Sequence, residues 1–182
     1  ELDATERLFD DEVTYRTIDL SRASYIDEKA RRVRIGVSSE SEVERSFGLE
    51  VLSHKAEDVD MSFMASGTAP LLNNHRMDEQ IGVVEEFRLD EAAKRTIAVV
   101  RFGRSALAQE VFQDVVDGIK QNISVGYRVN KLEQSNNDEI GDHYRASWTP
   151  MEASIVSIPA DQSKQVGVGR SKSNKTPNIQ VT

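Results

Sequence analysis

The sequence predicts a mainly β fold with helices, an α+β protein built on an antiparallel closed sheet or β-barrel with peripheral helices. Segments 81–89 and 94–102, IGVVEEFRL and KRTIAVVRF, are rich in β-branched residues and are separated by a short polar loop, as in a hairpin. Segment 105–117 repeats apolar residues every three or four positions, which indicates one amphipathic helix. Short loops between the other strand-like segments favour antiparallel pairing.

The remaining elements follow from local patterns. The helix is expected to begin after Ser105, whose side chain can cap it, and to end at Gly118, which tolerates a left-handed conformation. Residues of high β propensity, or alternating polar and apolar residues, predict further strands at 31–37, 123–129, 143–148 and 152–158. We therefore expect a series of strands joined by turns, with one well-defined helix.

The length of 182 residues is that of one domain with tails. We expect residues 1–30 to be a partly ordered acidic segment and residues 31–161 to be the folded domain. Residues 162–182 are rich in Gly, Ser and Lys, which predicts a flexible tail or linker.

Composition excludes several functional classes. The chain contains no cysteine, so disulfides, thiolate metal sites and cysteine nucleophiles are absent. A net charge of −8 disfavours nucleic acid as a partner, because phosphates repel an acidic surface. No apolar run approaches the roughly 20 residues of a membrane span, so we expect no membrane partner. The three histidines form no close-set ligand pair and no phosphate loop occurs, so we expect neither a metal nor a cofactor.

A candidate nucleophile lies where the predicted helix gives way to a strand. Gly126 stands two positions after Ser124, on the same face of the predicted strand, and leaves room beside the hydroxyl. A nucleophilic serine needs a base to accept its proton and a third group to orient that base. The candidate bases are His54, which we expect at the surface, His75, in a polar stretch after two leucines, and His143.

Three motifs resemble one known family when taken together. They are LLNNHRMDEQIGVVEEF, GIKQNISVGY and WTPMEASIVSIPADQ, in this order over about half of the chain. The set resembles the HK97-type phage prohead proteases, serine proteases similar in fold to the assembly proteases of herpesviruses. The resemblance implies a herpesvirus-protease-like fold for residues 31–161.

The same resemblance implies roles for individual residues. By position, Ser124 is the nucleophile, His75 the general base and Glu152 the third member of the triad. Herpesvirus proteases use a second histidine in the third place, so His143 stays an alternative. Donors to an oxyanion are not assigned; a backbone N–H near Val125 or Gly126, or an arginine such as Arg145, could serve.

The implied function is that of a prohead maturation endopeptidase that uses an acyl-enzyme. Its expected substrates are phage scaffolding and major capsid proteins, and its own chain, inside the prohead in the host cytoplasm. A homo-oligomer, a dimer by analogy, is expected. The alternative is a catalytically silent structural scaffold domain of a phage prohead. A metal-dependent hydrolase that uses the three histidines is a third hypothesis.

Overall fold

The computed structural model describes residues 25–135, 143–163 and 166–169. Short 3₁₀ turns occupy Ala56–Asp58 and Met64–Ser66. The main elements are β1 (Ile26–Asp27), β2 (Arg32–Ser39), β3 (Val43–Arg45), β4 (Gly48–Leu52), β5 (Pro70–Asn73), β6 (Arg76–Asp90), β7 (Arg95–Phe102), α1 (Ala106–Val116), β8 (Asn122–Ser135), β9 (His143–Val156) and β10 (Gly167–Val168).

Strand β9 is the centre of the sheet. Along one edge it pairs antiparallel with β8 over almost its whole length. Along the other edge it pairs parallel with β4 near its start and parallel with β5 near its end. From β5 the sheet continues through β6 and β7 to β2, whose outer edge carries both β1 and β10. Strand β9 therefore holds together strands from both halves of the chain.

The sheet curls into a half-barrel around the hydrophobic core. The Val168 N–H donates to the Gln121 carbonyl at 3.0 Å, which joins β10 to the residue before β8. The outer edge of β2, which carries β10, is thereby brought near the start of β8. Helix α1 packs against the same core, where the Phe102 and Phe112 rings lie 5.0 Å apart. The largest fully buried side chains include Trp148, Phe102, Ile35, Met64, Leu71 and Ile123.

Several local predictions are confirmed. The predicted hairpin is β6–β7, and it is antiparallel. Helix α1 begins after Ser105, whose hydroxyl accepts a hydrogen bond from the Ala108 N–H at 3.2 Å. Gly118, with φ of +73°, follows the end of α1 as expected for a glycine there. These features depend on neighbouring residues, which is why the local pattern predicts them.

The prediction of an antiparallel closed sheet or β-barrel with peripheral helices, herpesvirus-protease-like, is wrong. Strand dominates the described residues, a single α-helix accompanies it, and the sheet is mixed. The parallel pairs Leu71 with Ala153 and Leu49 with His143 join segments far apart along the chain. Short loops constrain only consecutive strands, so they carry no information about such distant pairings.

The predicted boundaries at residues 30 and 161 stay predictions. Residues 1–24 and 170–182, where most of the two predicted tails fall, lie outside the described residues. Within the predicted terminal segments, Ile26–Asp27 and Gly167–Val168 both pair with β2. Among the described residues, no helix has the length and apolar character that a membrane crossing requires.

Candidate functional site

The tight turn between β5 and β6 presents His75. Asn73 pairs with Arg76, so Asn74 and His75 are the two central residues of the turn. Their φ angles are +52° and +59°, the left-handed values of a type I′ hairpin, which asparagine and histidine adopt more readily than most residues. The Asn74 N–H donates to the Ile155 carbonyl at 2.9 Å. The tip of the hairpin is therefore fixed on β9.

A closed ring of hydrogen bonds joins His75 to two residues of β9. The His75 Nδ1–H donates to Glu152 Oε1, and the Ser154 hydroxyl donates to Glu152 Oε2 at 2.7 Å. The backbone N–H of His75 donates to Ser154 Oγ at 3.0 Å. Glu152 and Ser154 are two positions apart, so both side chains lie on one face of the strand. Both are buried, whereas the His75 ring is 42% exposed.

Gly126 makes room for the carboxylate. It lies opposite Glu152 in the β8–β9 ladder. A Cβ atom at Gly126 would stand 2.1 Å from Glu152 Oε1 and 2.8 Å from both its Cδ and Cγ. Any side chain at this position would therefore push Glu152 away from His75. The need for glycine here comes from close approach across the strands.

Ser124 lies beside this ring. It is directly opposite Ser154 in the ladder, so β8 and β9 bring all three predicted site residues to one region. Its side chain is nearly buried and lines a small cavity of about 40 Å³, between β2 and β8. In the described part of the chain, no hydrogen bond joins the Ser124 hydroxyl to His75.

His143, the alternative third residue, lies elsewhere. It opens β9, where its Nδ1 is 3.2 Å from Glu42 Oε1. At about 3.3 Å per residue, Glu152 is roughly 30 Å further along the same strand. The geometry therefore makes Glu152, and not His143, the partner of the His75 ring. Which chemical roles these residues have stays a prediction.

His54, which we expected at the surface, is fully buried, and that expectation is wrong. Its Nδ1–H donates to the Leu52 carbonyl at 2.9 Å, and its Nε2 accepts from the Ser38 hydroxyl at 2.8 Å. The Ser38 hydroxyl also contacts Thr96 Oγ1 at 2.5 Å. Burial lowers the pKa of His54 below its usual value. The charged residues that follow His54 in the sequence suggested an exposed position. Its buried environment is formed by strands that are distant in the sequence, so the local pattern does not predict it.

A carboxylate and a guanidinium adjoin His54. The backbone N–H of His54 donates to Glu40 Oε1 at 3.0 Å, and Arg145 donates to both Glu40 oxygens at 3.1 and 3.3 Å. Burial alone would raise the pKa of Glu40, but the hydrogen bonds from Arg145 and His54 outweigh it and the pKa is lowered. Arg145, the arginine considered as a donor to an oxyanion, is therefore engaged by the Glu40 carboxylate.

We expect the stability of the protein to fall as pH drops below about 6.5, partly through His54. The pKa of His54 is lower in the folded state than its ordinary value of 6.5, so the unfolded state binds the proton first. Its contribution to stability is complete above pH 6.5 and is lost as pH falls toward the folded pKa. Denaturant unfolding at a series of pH values measures this slope.

The matched variants for this test are His54→Gln and His143→Gln. His54→Gln is expected to lower the free energy of unfolding by about 1–3 kcal/mol at neutral pH, because buried hydrogen bonds are disturbed. It should also reduce the slope of the free energy of unfolding against pH below pH 6.5. His143→Gln should leave the His54 contribution in place. An unchanged slope in His54→Gln would show that another group causes it.

A third polar cluster surrounds Tyr127. Tyr127 donates its hydroxyl proton to Glu50 Oε1, and Arg45 donates to the Tyr127 oxygen at 2.6 Å. Burial, together with the neighbouring Glu50 carboxylate, raises the pKa of Tyr127 to about 12. Trp148 packs edge-on against both Tyr127 and His54, with ring centroids 5.7 Å apart in each case. Trp148 thus connects two polar clusters that the sequence motifs do not indicate.

One comparison with known proteins bears on the function. Over 151 residues the chain is 42% identical to a protein named major capsid protein, from Halomonas phage phiHAP-1. The chain is related to a phage capsid protein. The match covers 81% of the chain and 24% of the relative, so the chain spans about a quarter of the relative's length. No family model matches the chain, and no solved structure matches it.

This relative corrects the predicted function. The phage and capsid parts of the prediction are confirmed, but a protease family is not shown. A major capsid protein is a structural protein, so the prediction of a serine endopeptidase is wrong on this comparison. The prediction rested on three short motifs, whereas the match to the capsid protein extends over 151 residues. The assignment of Ser124, His75 and Glu152 as site residues stays a prediction.

Proposed function

We propose that this chain is a structural domain of a phage prohead and has no peptidase activity. The observation that supports the proposal is its 42% identity over 151 residues to a phage major capsid protein. Its partners would be the scaffolding and capsid proteins of the same particle, met during assembly in the host cytoplasm. The three motifs that resemble prohead proteases fit the same particle without requiring proteolysis.

The ring of His75, Glu152 and Ser154 has a structural role in this proposal. Both carboxylate oxygens of Glu152 accept hydrogen bonds, and hydrogen bonds to an ionised acceptor are stronger than neutral ones. The ring fixes the β5–β6 hairpin on β9, at the point where two distant parts of the chain meet. A rigid hairpin tip would give capsid partners a surface of constant shape.

Ser124→Ala is expected to leave particle assembly unchanged. The Ser124 hydroxyl makes no hydrogen bond to His75 in the described residues, so its loss should lower the free energy of unfolding by about 1 kcal/mol or less. The measurement is the yield of proheads by sedimentation from cells that express the variant in the phage background. The masses of scaffold and capsid chains, by mass spectrometry, should match those of the wild type.

Glu152→Ala is the matched variant, because it removes the acceptor for both His75 and Ser154. Glu152→Ala should lower the yield of proheads, because less of the domain would be folded. The wild-type chain itself should be found in purified wild-type proheads. The structural proposal would be overturned if Ser124→Ala particles accumulated uncleaved scaffold or capsid chains. Covalent labelling of Ser124 by a fluorophosphonate probe in the wild-type protein would also overturn it.

A further inference from the structure

The part of the sheet formed by β2, β7 and β6 has an outer face that is separate from the hydrophobic core. Successive residues of a strand point to opposite faces of a sheet. In β7, Ala98 and Val100 belong to the core cluster, so Val99 between them lies on the outer face. Val99 is nevertheless 0% exposed. Something other than the core therefore contributes to its burial.

The described helices and strands provide no layer over this face of β7. Within residues 25–135, 143–163 and 166–169, the main contacts of β7 are with its neighbours β2 and β6 and with α1. The buried side chains of α1 all belong to the core cluster, so the helix lies on the inner side of the sheet. The outer face of β7 is thus left for a further segment to cover.

The outer face carries an excess of positive charge. Its charged side chains are five arginines and three carboxylates, placed there by the pairing of the three strands and by their ion pairs: Arg32, Arg34, Arg88, Arg95, Arg101, Glu85, Glu86 and Asp90. Arg95 is only 4% exposed, and its Nη1 has no hydrogen-bond partner in the described residues. Arginine is rarely buried so deeply unless it is paired. An acidic segment would suit this face.

Such a segment begins beside the face. The Arg34 N–H donates to the Tyr25 carbonyl at 2.8 Å, so residues 1–24 join the fold next to β2. They contain seven carboxylates and three arginines. Even at the rise of a helix, 24 residues extend about 36 Å, which exceeds the roughly 26 Å length of an eight-residue strand such as β2. The segment is therefore long enough to cross the whole outer face.

We propose that residues 1–24 dock on the outer face of β2, β7 and β6 of the same chain. Leu8, Phe9 and Val13, apolar residues near the middle of the segment, cover the apolar row of Ile97 and Val99. The carboxylates of the segment balance the excess of arginines around that row. The covalent connection at Tyr25 favours this occupant over a second copy, because it gives the segment a high effective concentration at the face.

This docking surface is separate from the ring of His75, Glu152 and Ser154, and the proposal does not depend on the capsid role. Its tests use the 182-residue chain alone, in the absence of other particle proteins. Their failure would therefore leave the proposed function untouched.

Thiol labelling tests the cover, because the chain has no cysteine of its own. The matched variants are Val99→Cys and Val100→Cys, neighbours that are both 0% exposed but lie on opposite faces. Each should react slowly with a maleimide in the native chain. Replacing Leu8, Phe9 and Val13 by serine should speed labelling of Val99→Cys at least about tenfold, because apolar contacts over the face are lost. Labelling of Val100→Cys should stay slow.

The control for the serine variant is Ile119→Ser with Ile158→Ser, which removes two aliphatic side chains that are 71% and 80% exposed elsewhere. It should leave the labelling of Val99→Cys unchanged. Unchanged labelling of Val99→Cys in the Leu8, Phe9 and Val13 variant would overturn the proposal. Equal acceleration at Val99→Cys and Val100→Cys would also overturn it, since the whole sheet would then have opened.

Neutralising the segment tests the charges. The variant Asp10→Asn, Asp11→Asn, Glu12→Gln should speed labelling of Val99→Cys severalfold at low salt, because attraction to the arginines is weakened. The matched control, an equal loss of charge at exposed positions elsewhere, should have no effect; it is Glu44→Gln, Glu57→Gln, Glu110→Gln. Equal effects of the two variants would overturn the charge argument. Slow labelling that becomes fast on dilution of the chain would assign the cover to a second copy and overturn docking within one chain.

Discussion

Replacing Gly126 by alanine is expected to lower the free energy of unfolding by about 3 kcal/mol. The new Cβ would occupy the space of the Glu152 carboxylate, which lies 2.1 Å from the ideal Cβ position. Glu152 would have to turn away and lose its hydrogen bonds to His75 and Ser154, each worth about 1.5 kcal/mol for a charged acceptor. Denaturant unfolding gives the free energy, and NMR of the His75 ring reports the loss of its partner.

Two controls separate this clash from the general cost of changing glycine in a sheet protein. Gly103→Ala should be nearly neutral, because its Cβ would meet only ordinary contacts, at 3.5 Å and beyond. The double variant Gly126→Ala with Glu152→Ala should cost no more than Glu152→Ala alone, since the clash needs the carboxylate. Additive costs in the double variant would show that Gly126 matters for another reason.

Replacing Trp148 by alanine should lower the free energy of unfolding by about 3–5 kcal/mol, the range for a buried aromatic residue. Trp148 is fully buried, donates Nε1–H to the Ser53 carbonyl at 2.7 Å, and packs against His54 and Tyr127. Trp148→Ala would leave a cavity between two polar clusters as well as an unpaired carbonyl. Thermal and denaturant unfolding both measure the loss.

Phe47→Ala is the matched aromatic variant. Phe47 is 42% exposed and makes one edge contact, with Tyr144. Its replacement should cost less than about 1 kcal/mol, because little apolar surface leaves a buried site. If the two alanine variants were equally stable, burial at Trp148 would not be the source of its contribution.

The sequence predicts those features that neighbouring residues determine. Helix α1 with its Ser105 cap and the β6–β7 hairpin follow from periodicity and short loops. The approach of His75 to Glu152 could be expected only from the family resemblance, because 77 positions separate them along the chain. Periodicity is the same for parallel and antiparallel strands, so the mixed order around β9 is not encoded in any local pattern.

The buried polar clusters show the same limit. His54 is followed by Lys55 and Glu57, which suggests an exposed loop, yet its ring is buried and hydrogen-bonded to Ser38 of a distant strand. Function was harder still to predict. A serine, a histidine and a carboxylate in the order of the family resemble a catalytic triad. Such an arrangement can also be retained without activity, or can serve to stabilise the fold.

The position of β9 has a consequence for synthesis of the protein. Strands β4 and β5 are translated long before residues 143–156, yet both depend on β9 for hydrogen bonding along one edge. Until that late segment leaves the ribosome, these nascent strands have edges that can join other unfinished chains. Pairings so distant in sequence also slow folding, because a long loop must close before they form. A cell that makes many copies at once would therefore gain from chaperones that shield the early strands until translation is complete.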